Sequence, residues 1–347
     1  LLDTWVLVFG GDQFTITTGK DAAGWWQISS SNTKNNLVDF EEDLRAAGLS
    51  TPAMLPAAAS LKKGTAVGTN AIMRAWMEQV ILGGARKAFG LKGDGATAPG
   101  AVNIRLLSDS DPAAPNYLSF TPQTLKGAET TRAFSCISVG GGDLTRPYLG
   151  LASSGDVGNL RNEANLSPKR GVFTTAAVAF LASAAAKDPS IQMLLRQLMG
   201  DFVPELGEGG KRVGEHTLDA TILAPGFDPK AATAAARSRY DKLLFIVQTI
   251  GRLAGALVAH EMGHSLGLVP DGAPPYGLFG GEKKASFTNG ARTTSHHIDT
   301  PGFNLLEAGP GSAAGAKIDI LSYLSEPSFN ALNMAYLRGR LLVLTKP

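Results

Sequence analysis

Two histidines and a glutamate in the last third of the chain have the spacing of a metal-assisted hydrolase. They lie in the stretch VAHEMGHSLGLVPDG, residues 258–272. On a helix, residues four apart share one face, so His260 and His264 can direct imidazole nitrogens at one ion. Glu261 is one position further round, where it reaches a water on the ion instead of the ion itself. Zinc lowers the pKa of such a water, so we expect a Zn²⁺ site with Glu261 as general base.

The stretch HEMGHSLG, residues 260–267, extends the motif to HExxHxxG, which resembles the metzincin clan of zinc metallopeptidases. In that clan the glycine ends the active-site helix, and the chain then turns towards a third zinc ligand. Gly267 suits this position because glycine readily adopts the left-handed conformation that terminates helices. The resemblance implies a zincin-like α/β (α+β) fold and endopeptidase activity on a protein or peptide substrate. Outside the motif it is limited to the order of elements.

The third ligand departs from the pattern of the clan. Families of the clan place it three residues after the glycine, where this chain has Pro270, whose side chain has no ligand atom. Asp271 follows one residue late, whereas His296 and His297 come after about thirty further residues, and some metzincins carry such insertions. Imidazole is a good zinc ligand, and a carboxylate such as Asp299 can orient it. We expect His297 to be the third ligand, with His296 and Asp271 as alternatives.

The clan also has a methionine in a tight turn beneath the zinc and, in some families, a tyrosine that reaches the metal or the oxyanion. The sequence NMAY at 333–336 offers Met334 and Tyr336, while FNLLEAG at 303–309 has Leu306 where a methionine would stand. The spacing of 329–344 also fits a C-terminal helix in which Met334 and Tyr336 pack into the core, and this interpretation is favoured. Tyr336 as a catalytic oxyanion stabiliser is a hypothesis.

The elements that must position these residues follow from hydrophobic periodicity. Residues 231–267 can be helical almost throughout, which places the HExxH residues at the C-terminal end of a long helix. A second amphipathic helix is predicted at about 67–90, and GRLAGALVA, with Gly251 and Gly255, predicts close helix packing. The remaining predictions are strands at 101–109 and 134–142, an edge strand at 150–160, and a helix at 174–200 interrupted at Asp188–Pro189. Together they predict a mixed twisted sheet packed on two long helices.

The N-terminal part of the chain has a different pattern. Residues 1–40 contain short alternating strand signals separated by turns, and a short helix at 39–49 is predicted to end at Gly48. The adjacent Trp25 and Trp26 are expected to pack in a core or interface. A linker-like stretch places a soft boundary near residue 60, between a small β-rich segment, 1–59, and a catalytic domain, 60–347.

Composition narrows the classes of partner. The chain has 347 residues, of which 44% are hydrophobic and 18% charged, with a net charge of +2 and no basic run. This composition predicts no nucleic-acid partner. The apolar stretch 174–186 is too short to span a bilayer, so no transmembrane segment is expected. The single cysteine, Cys136, is expected to be a buried small hydrophobe. Turns at 93–100 and 140–143 could hold calcium but lack the alternating carboxylates of a calcium loop.

The N-terminus lacks an initiator Met and the features of a signal peptide, so we expect a processed product or part of a longer multidomain chain. The peptidase resemblance places it outside the cell, secreted or at the cell surface. The alternative to an enzyme is a non-catalytic surface or binding module with a structural metal. Such a site is closed by four protein ligands, whereas a catalytic site keeps one position for water.

Overall fold

A computed structural model of the chain describes residues 2–9, 14–35, 38–50, 68–95, 102–117, 134–142, 144, 148–152, 163–166, 168–207, 209–268, 305 and 328–341. The strands are β1 Asp3–Val8, β2 Phe14–Lys20, β3 Trp26–Lys34, β4 Ile104–Ser108, β5 Ser135–Ser138, β6 Gly150–Leu151, β7 Ala164–Asn165 and β8 Gly171–Val172. The helices are α1 Asp39–Ala46, α2 Gly68–Ala88, α3 Thr174–Ala185, α4 Pro189–Met199, α5 Asp219–Ile222, α6 Ala234–Ser265 and α7 Ala331–Leu341.

The central sheet is parallel. Its four strands have the order β4-β1-β5-β7, and an isolated parallel bridge between Val139 and Val172 joins the end of β5 to β8. Strand β8 in turn pairs antiparallel with β6. The molecule is therefore a mixed α/β structure with a parallel sheet and helices. Among the described residues, antiparallel pairing is found between β6 and β8, in the β2–β3 hairpin and at one isolated bridge between Gly95 and Arg105.

Strand β1 occupies the middle of this sheet, between β4 and β5. Trp5 pairs with Leu106 on one side and with Ser135 on the other. The run TWVLVF is almost continuously apolar and buried, as is typical of a parallel strand covered on both faces. Residues before position 60 thus belong to the same sheet as residues after it, and the boundary predicted there lies outside the described residues.

The two long helices pack closely and run in the same direction. A Cβ atom on Gly251 would meet Met77 and Val80, and one on Gly255 would lie 2.5 Å from the carbonyl oxygen of Ile81. Side chains larger than hydrogen would therefore separate the backbones of α2 and α6. This confirms the close helix packing predicted from the two glycines.

Helix α6 begins where Thr233 caps it, because the Thr233 hydroxyl accepts a hydrogen bond from the N–H of Ala236 at 3.3 Å. Among the described helices, α6 alone is long and apolar enough to cross a membrane by length and composition. The protein buries 67% of the most apolar 18-residue window of α6. Core helices of folded domains are also long, apolar and mostly buried.

Several sequence predictions of local structure are confirmed. The helix expected at 174–200 is interrupted as predicted, and Asp188 caps α4 by accepting the N–H of Ser190 at 2.9 Å. Gly48 follows the end of α1 with a φ of +78°. Trp25, Trp26 and Cys136 are all buried, at 6%, 0% and 0% exposure. Each of these side chains therefore has the packing role that the sequence favoured.

Candidate metal centre

The C-terminal end of α6 is a Schellman motif. The N–H of Gly267 donates to the carbonyl of His264 at 3.0 Å, and the N–H of Leu268 donates to the carbonyl of Gly263 at 2.9 Å. Gly267 has a φ of +94°, in the left-handed region that favours glycine. The prediction that Gly267 ends the helix carrying His260 and His264 is confirmed, and the motif fixes the direction in which the chain leaves the helix.

Both histidines are buried and each uses its Nδ1 atom to contact a main-chain carbonyl. The Nδ1 atom of His260 lies 2.5 Å from the carbonyl oxygen of Leu305, and that of His264 lies 3.3 Å from the carbonyl oxygen of Leu268. A carbonyl accepts only, so these contacts place the proton on Nδ1 of each ring. In that tautomer the lone pair of each ring is on Nε2, the nitrogen through which it would bind a metal.

The two Nε2 atoms face each other at 3.0 Å, with the rings of His260 and His264 nearly perpendicular at 87°. With both protons on Nδ1, the two Nε2 lone pairs face each other, and a cation between them would stabilise this arrangement. Zinc binds imidazole nitrogen at about 2.0–2.1 Å, so one ion can reach both atoms at this separation. The donor set therefore fits zinc: two buried imidazoles, each oriented by a hydrogen bond from Nδ1 to a main-chain carbonyl.

Glu261 lies against strand β6. Its carboxylate accepts the backbone N–H of Ala152, and its side chain occupies the space in which Gly150 would carry a Cβ atom. The residue is only 6% exposed. The helix thus presents two imidazoles to one another and directs the intervening glutamate to the neighbouring strand.

Burial governs the protonation of the site. Desolvation raises the pKa of the Glu261 carboxyl to about 8, and the hydrogen bond from Ala152 opposes it. Desolvation lowers the pKa of His260, against the opposing effect of the Leu305 carbonyl. Burial therefore favours the neutral imidazole, which is the form that binds a metal.

A buried side-chain hydrogen bond ties the end of α6 to the sheet. Asn165, in β7, donates through Nδ2 to the hydroxyl of Ser265 at 2.8 Å, and both residues are 0% exposed. Because Ser265 directly follows His264, this bond anchors the last turn that carries the second imidazole.

The predicted third ligands lie outside the described residues, so the assignment of His297, His296 or Asp271 stays a prediction. The described residues contain no group of three or more His, Cys, Asp or Glu side chains arranged to hold a metal. His216 belongs to a local turn, in which its Nδ1 accepts the N–H of Leu218 at 3.2 Å.

Met334 and Tyr336 lie on α7 and are half-buried against the hydrophobic core. This confirms the favoured interpretation of a packed C-terminal helix, and Met334 is helical rather than in a tight turn. The methyl group of Met334 lies 3.7 Å from the position of a Cβ atom on Gly90, beyond the end of α2. An oxyanion role for Tyr336 stays a prediction.

The two turns considered for calcium have ordinary structural roles where they are described. Asp94 forms an ion pair with Arg105, at 2.9 Å between Oδ2 and Nη2. Gly140, Gly141 and Gly142 all have positive φ values, which is the conformation of a glycine turn.

The sequence did not indicate four residues that contact the candidate site: Gly150, Ala152, Leu268 and Leu305. Three of them form contacts through main-chain atoms, and Gly150 leaves room for Glu261 because it has no side chain. Main-chain contacts leave no residue-type signal in a single sequence. Only the edge-strand prediction at 150–160 indicated the importance of this region.

Comparison with known proteins gives no relative. No protein-family model matches the chain, and neither a curated protein nor a solved structure matches it significantly.

Proposed function

We propose that this protein is a zinc-dependent endopeptidase of the metzincin type. The observation that carries the proposal is the pair of Nε2 atoms of His260 and His264, 3.0 Å apart, with both Nδ1 atoms held by carbonyls. The architecture agrees with the proposed zincin fold. A parallel sheet with an antiparallel edge strand lies on two long helices, and the second helix carries the motif.

Each residue has one task in the proposed reaction. Zinc, when bound, would polarise the scissile carbonyl and acidify a water. The carbonyls of Leu268 and Leu305 hold the imidazole rings so that both Nε2 atoms point to the same place. In its ionised form, Glu261 takes a proton from the attacking water and transfers it to the leaving amine nitrogen. The attack forms the new C–O bond, and the proton transfer allows the C–N bond to break.

The edge strand supports a peptide as the substrate. Strand β6 pairs with β8 on one side, and among the described residues no other strand pairs with it. An extended peptide can add to such an edge through main-chain hydrogen bonds. Glu261 packs against this same strand, so a peptide bound along β6 would pass close to the proposed base.

His297 is proposed as the third ligand, with His296 and Asp271 as alternatives. Leu305, whose carbonyl contacts His260, follows His297 by only eight residues in the sequence. Zinc content of His297→Ala, with His296→Ala as the neighbouring control, assigns the ligand. The ligand variant is expected to lose zinc, whereas its neighbour retains it.

The deciding experiment compares the wild type with Glu261→Gln. Cleavage of a disordered protein such as casein and zinc content are measured for both chains, with and without a chelator. We expect one zinc ion per chain in both proteins. We also expect at least a 100-fold loss of turnover in Glu261→Gln, because glutamine cannot accept the proton. Glu215→Gln, at an exposed glutamate in a local turn, is the matched control.

The outcomes separate the two candidate functions. Chelator-sensitive cleavage that depends on Glu261 supports the peptidase. Cleavage that survives Glu261→Gln contradicts the mechanism. Stoichiometric zinc without any cleavage by the wild type supports the non-catalytic module with a structural metal instead.

A further inference from the structure

We propose that Gly150, on the edge strand β6, is a positioning residue that sets the conformation of Glu261 and must be glycine for that reason. This inference rests on the proposed function, because it concerns the proposed general base. Gly150 does not touch the reacting atoms in this role. It acts through the space that its missing side chain leaves for the carboxylate.

The side chain of Glu261 fills the space next to the Cα atom of Gly150. A Cβ atom built on Gly150 would lie 2.7 Å from both Cγ and Cδ of Glu261. Carbon atoms that are not bonded reach their optimal separation at about 3.5–4.0 Å, so the two groups cannot share this space. Gly150 has no positive φ, and its conformation alone therefore does not require glycine. The requirement arises from Glu261.

The strand is held more firmly than the glutamate side chain. Gly150 pairs with Val172 and Leu151 with Gly171, and the N–H of Phe173 donates to the carbonyl of Leu149 at 2.8 Å. Glu261, by contrast, can move by rotating its own side-chain torsions. A methyl group at position 150 is therefore expected to push the carboxylate away and leave β6 in place.

Displacement of the Glu261 carboxylate has two consequences. The carboxylate leaves the N–H of Ala152, which donates to it in the native arrangement. It also loses its direction relative to the imidazole pair on the same helix. A misplacement of about 1 Å in a catalytic group can cost about 100-fold in rate. The imidazoles are held by other contacts, so metal binding is not expected to change.

Gly150→Ala is therefore expected to lower kcat about 100-fold, while KM and zinc content stay within about threefold of the wild type. Gly19→Ala is the matched control, because Gly19 is also a strand glycine and a Cβ atom there meets nothing within 4 Å. It should change neither kcat nor KM. Loss of zinc, or an effect on KM alone, in Gly150→Ala would overturn the proposal.

The second arm measures whether the effect passes through Glu261. In the Glu261→Ala background, residual turnover should fall less than about threefold on adding Gly150→Ala, because the base is already absent. An equal fractional loss in both backgrounds contradicts a positioning role.

Thermal unfolding tests the contact independently of activity. Gly150→Ala should lower the unfolding midpoint by about 2 °C in the wild-type background and leave that of Glu261→Ala unchanged. If the wild type has no peptidase activity, the proposed function fails, yet this midpoint comparison still decides the steric contact. The same midpoint shift in both backgrounds refutes it.

Discussion

His264 depends on a short chain of local contacts that begins with a glycine. Gly267 ends α6 in the left-handed conformation, and the turn that it permits brings the carbonyl of Leu268 within 3.3 Å of the Nδ1 atom of His264. A single residue without a side chain thereby helps to place the carbonyl that contacts Nδ1 of His264. The orientation of His264, the second candidate ligand, therefore depends on the way in which α6 ends.

Gly267→Ala tests this link. Alanine in the left-handed region costs about 1 kcal/mol in stability, and the resulting shift of Leu268 should weaken zinc binding about 10-fold or more. Gly226 is the matched control, since it has a φ of +81° and no neighbour within 4 Å of an added Cβ atom. Both alanine variants should lose similar stability by urea unfolding. Only Gly267→Ala should lose zinc affinity in a competitive chelator titration, and equal affinities in the two variants would contradict the link.

The two long helices determine where the site lies relative to the sheet. Helix α2 leads into β4, and α6 packs along α2 with glycines at the closest approach. Because the HExxH residues occupy the last turns of α6, a change in the spacing of the helices moves both histidines and Glu261 together. The spacing of α2 and α6 therefore determines the position of the candidate site.

Gly255→Ala should destabilise the protein by about 1–3 kcal/mol, because the new Cβ atom would lie 2.5 Å from the carbonyl oxygen of Ile81 and the backbones must move apart. Gly83→Ala, on the exposed face of α2 with nothing within 4 Å, should instead stabilise the helix by up to about 1 kcal/mol. Urea denaturation measures both changes. Destabilisation by both substitutions, or by neither, would show that helix contact at Gly255 is not the cause.

Several carboxyl groups in the described part of the chain are buried close to the sheet and the helices that cover it. Asp43 of α1 accepts hydrogen bonds from the hydroxyls of Thr174 and Thr175 and from the N–H of Gly141 at 3.1 Å. Desolvation and, to a smaller extent, the Glu42 carboxylate raise the pKa of Asp43 to about 7 against these hydrogen bonds. These contacts join α1, the glycine turn after β5 and the start of α3.

A second buried network joins α1, α2 and β4. Arg74 pairs with Glu41 at 3.1 Å and with Glu78 at 2.7 Å, and Ser108 donates its hydroxyl to Glu78. Desolvation raises the pKa of Asp109 to about 7, although the Arg74 charge opposes the shift. Breaking such a pair on one side leaves an uncompensated buried charge, so the network holds these three elements together.

Stability should therefore decrease as pH rises from about 4 to 7. In this range the folded protein retains a proton on Asp43 that the unfolded chain, with an ordinary Asp pKa near 3.9, has released. Between its unfolded and folded pKa values, each such group lowers the free energy of unfolding by about 1.4 kcal/mol for each unit by which the pH rises. Asp43→Asn, which carries no charge at any pH, should reduce the slope by about one proton in urea unfolding at pH 4, 5, 6 and 7. Equal slopes for the two proteins would place the pKa of Asp43 outside this window.

The sequence by itself determined the local part of this protein. Helix periodicity and the positions four apart placed His260 and His264 on one face, and Gly267 was recognised as the end of that helix, because both depend on backbone geometry within a few residues. The interruption of the helix at 174–200 and the close packing at Gly251 and Gly255 follow from proline and glycine in the same way. These predictions required no knowledge of distant contacts.

Only the tertiary structure decided which distant residues contact the HExxH motif. It inserted β1 between β4 and β5, which the short strand signals near the N-terminus could not indicate, because register and neighbours depend on pairing over about one hundred residues. It brought Gly150 and the N–H of Ala152 to Glu261, and the carbonyl of Leu305 to His260. These partners act through main-chain atoms or through an absent side chain, which residue types along the chain do not record. The local motif supplies the candidate chemistry, and long-range packing of the sheet and helices supplies its orientation.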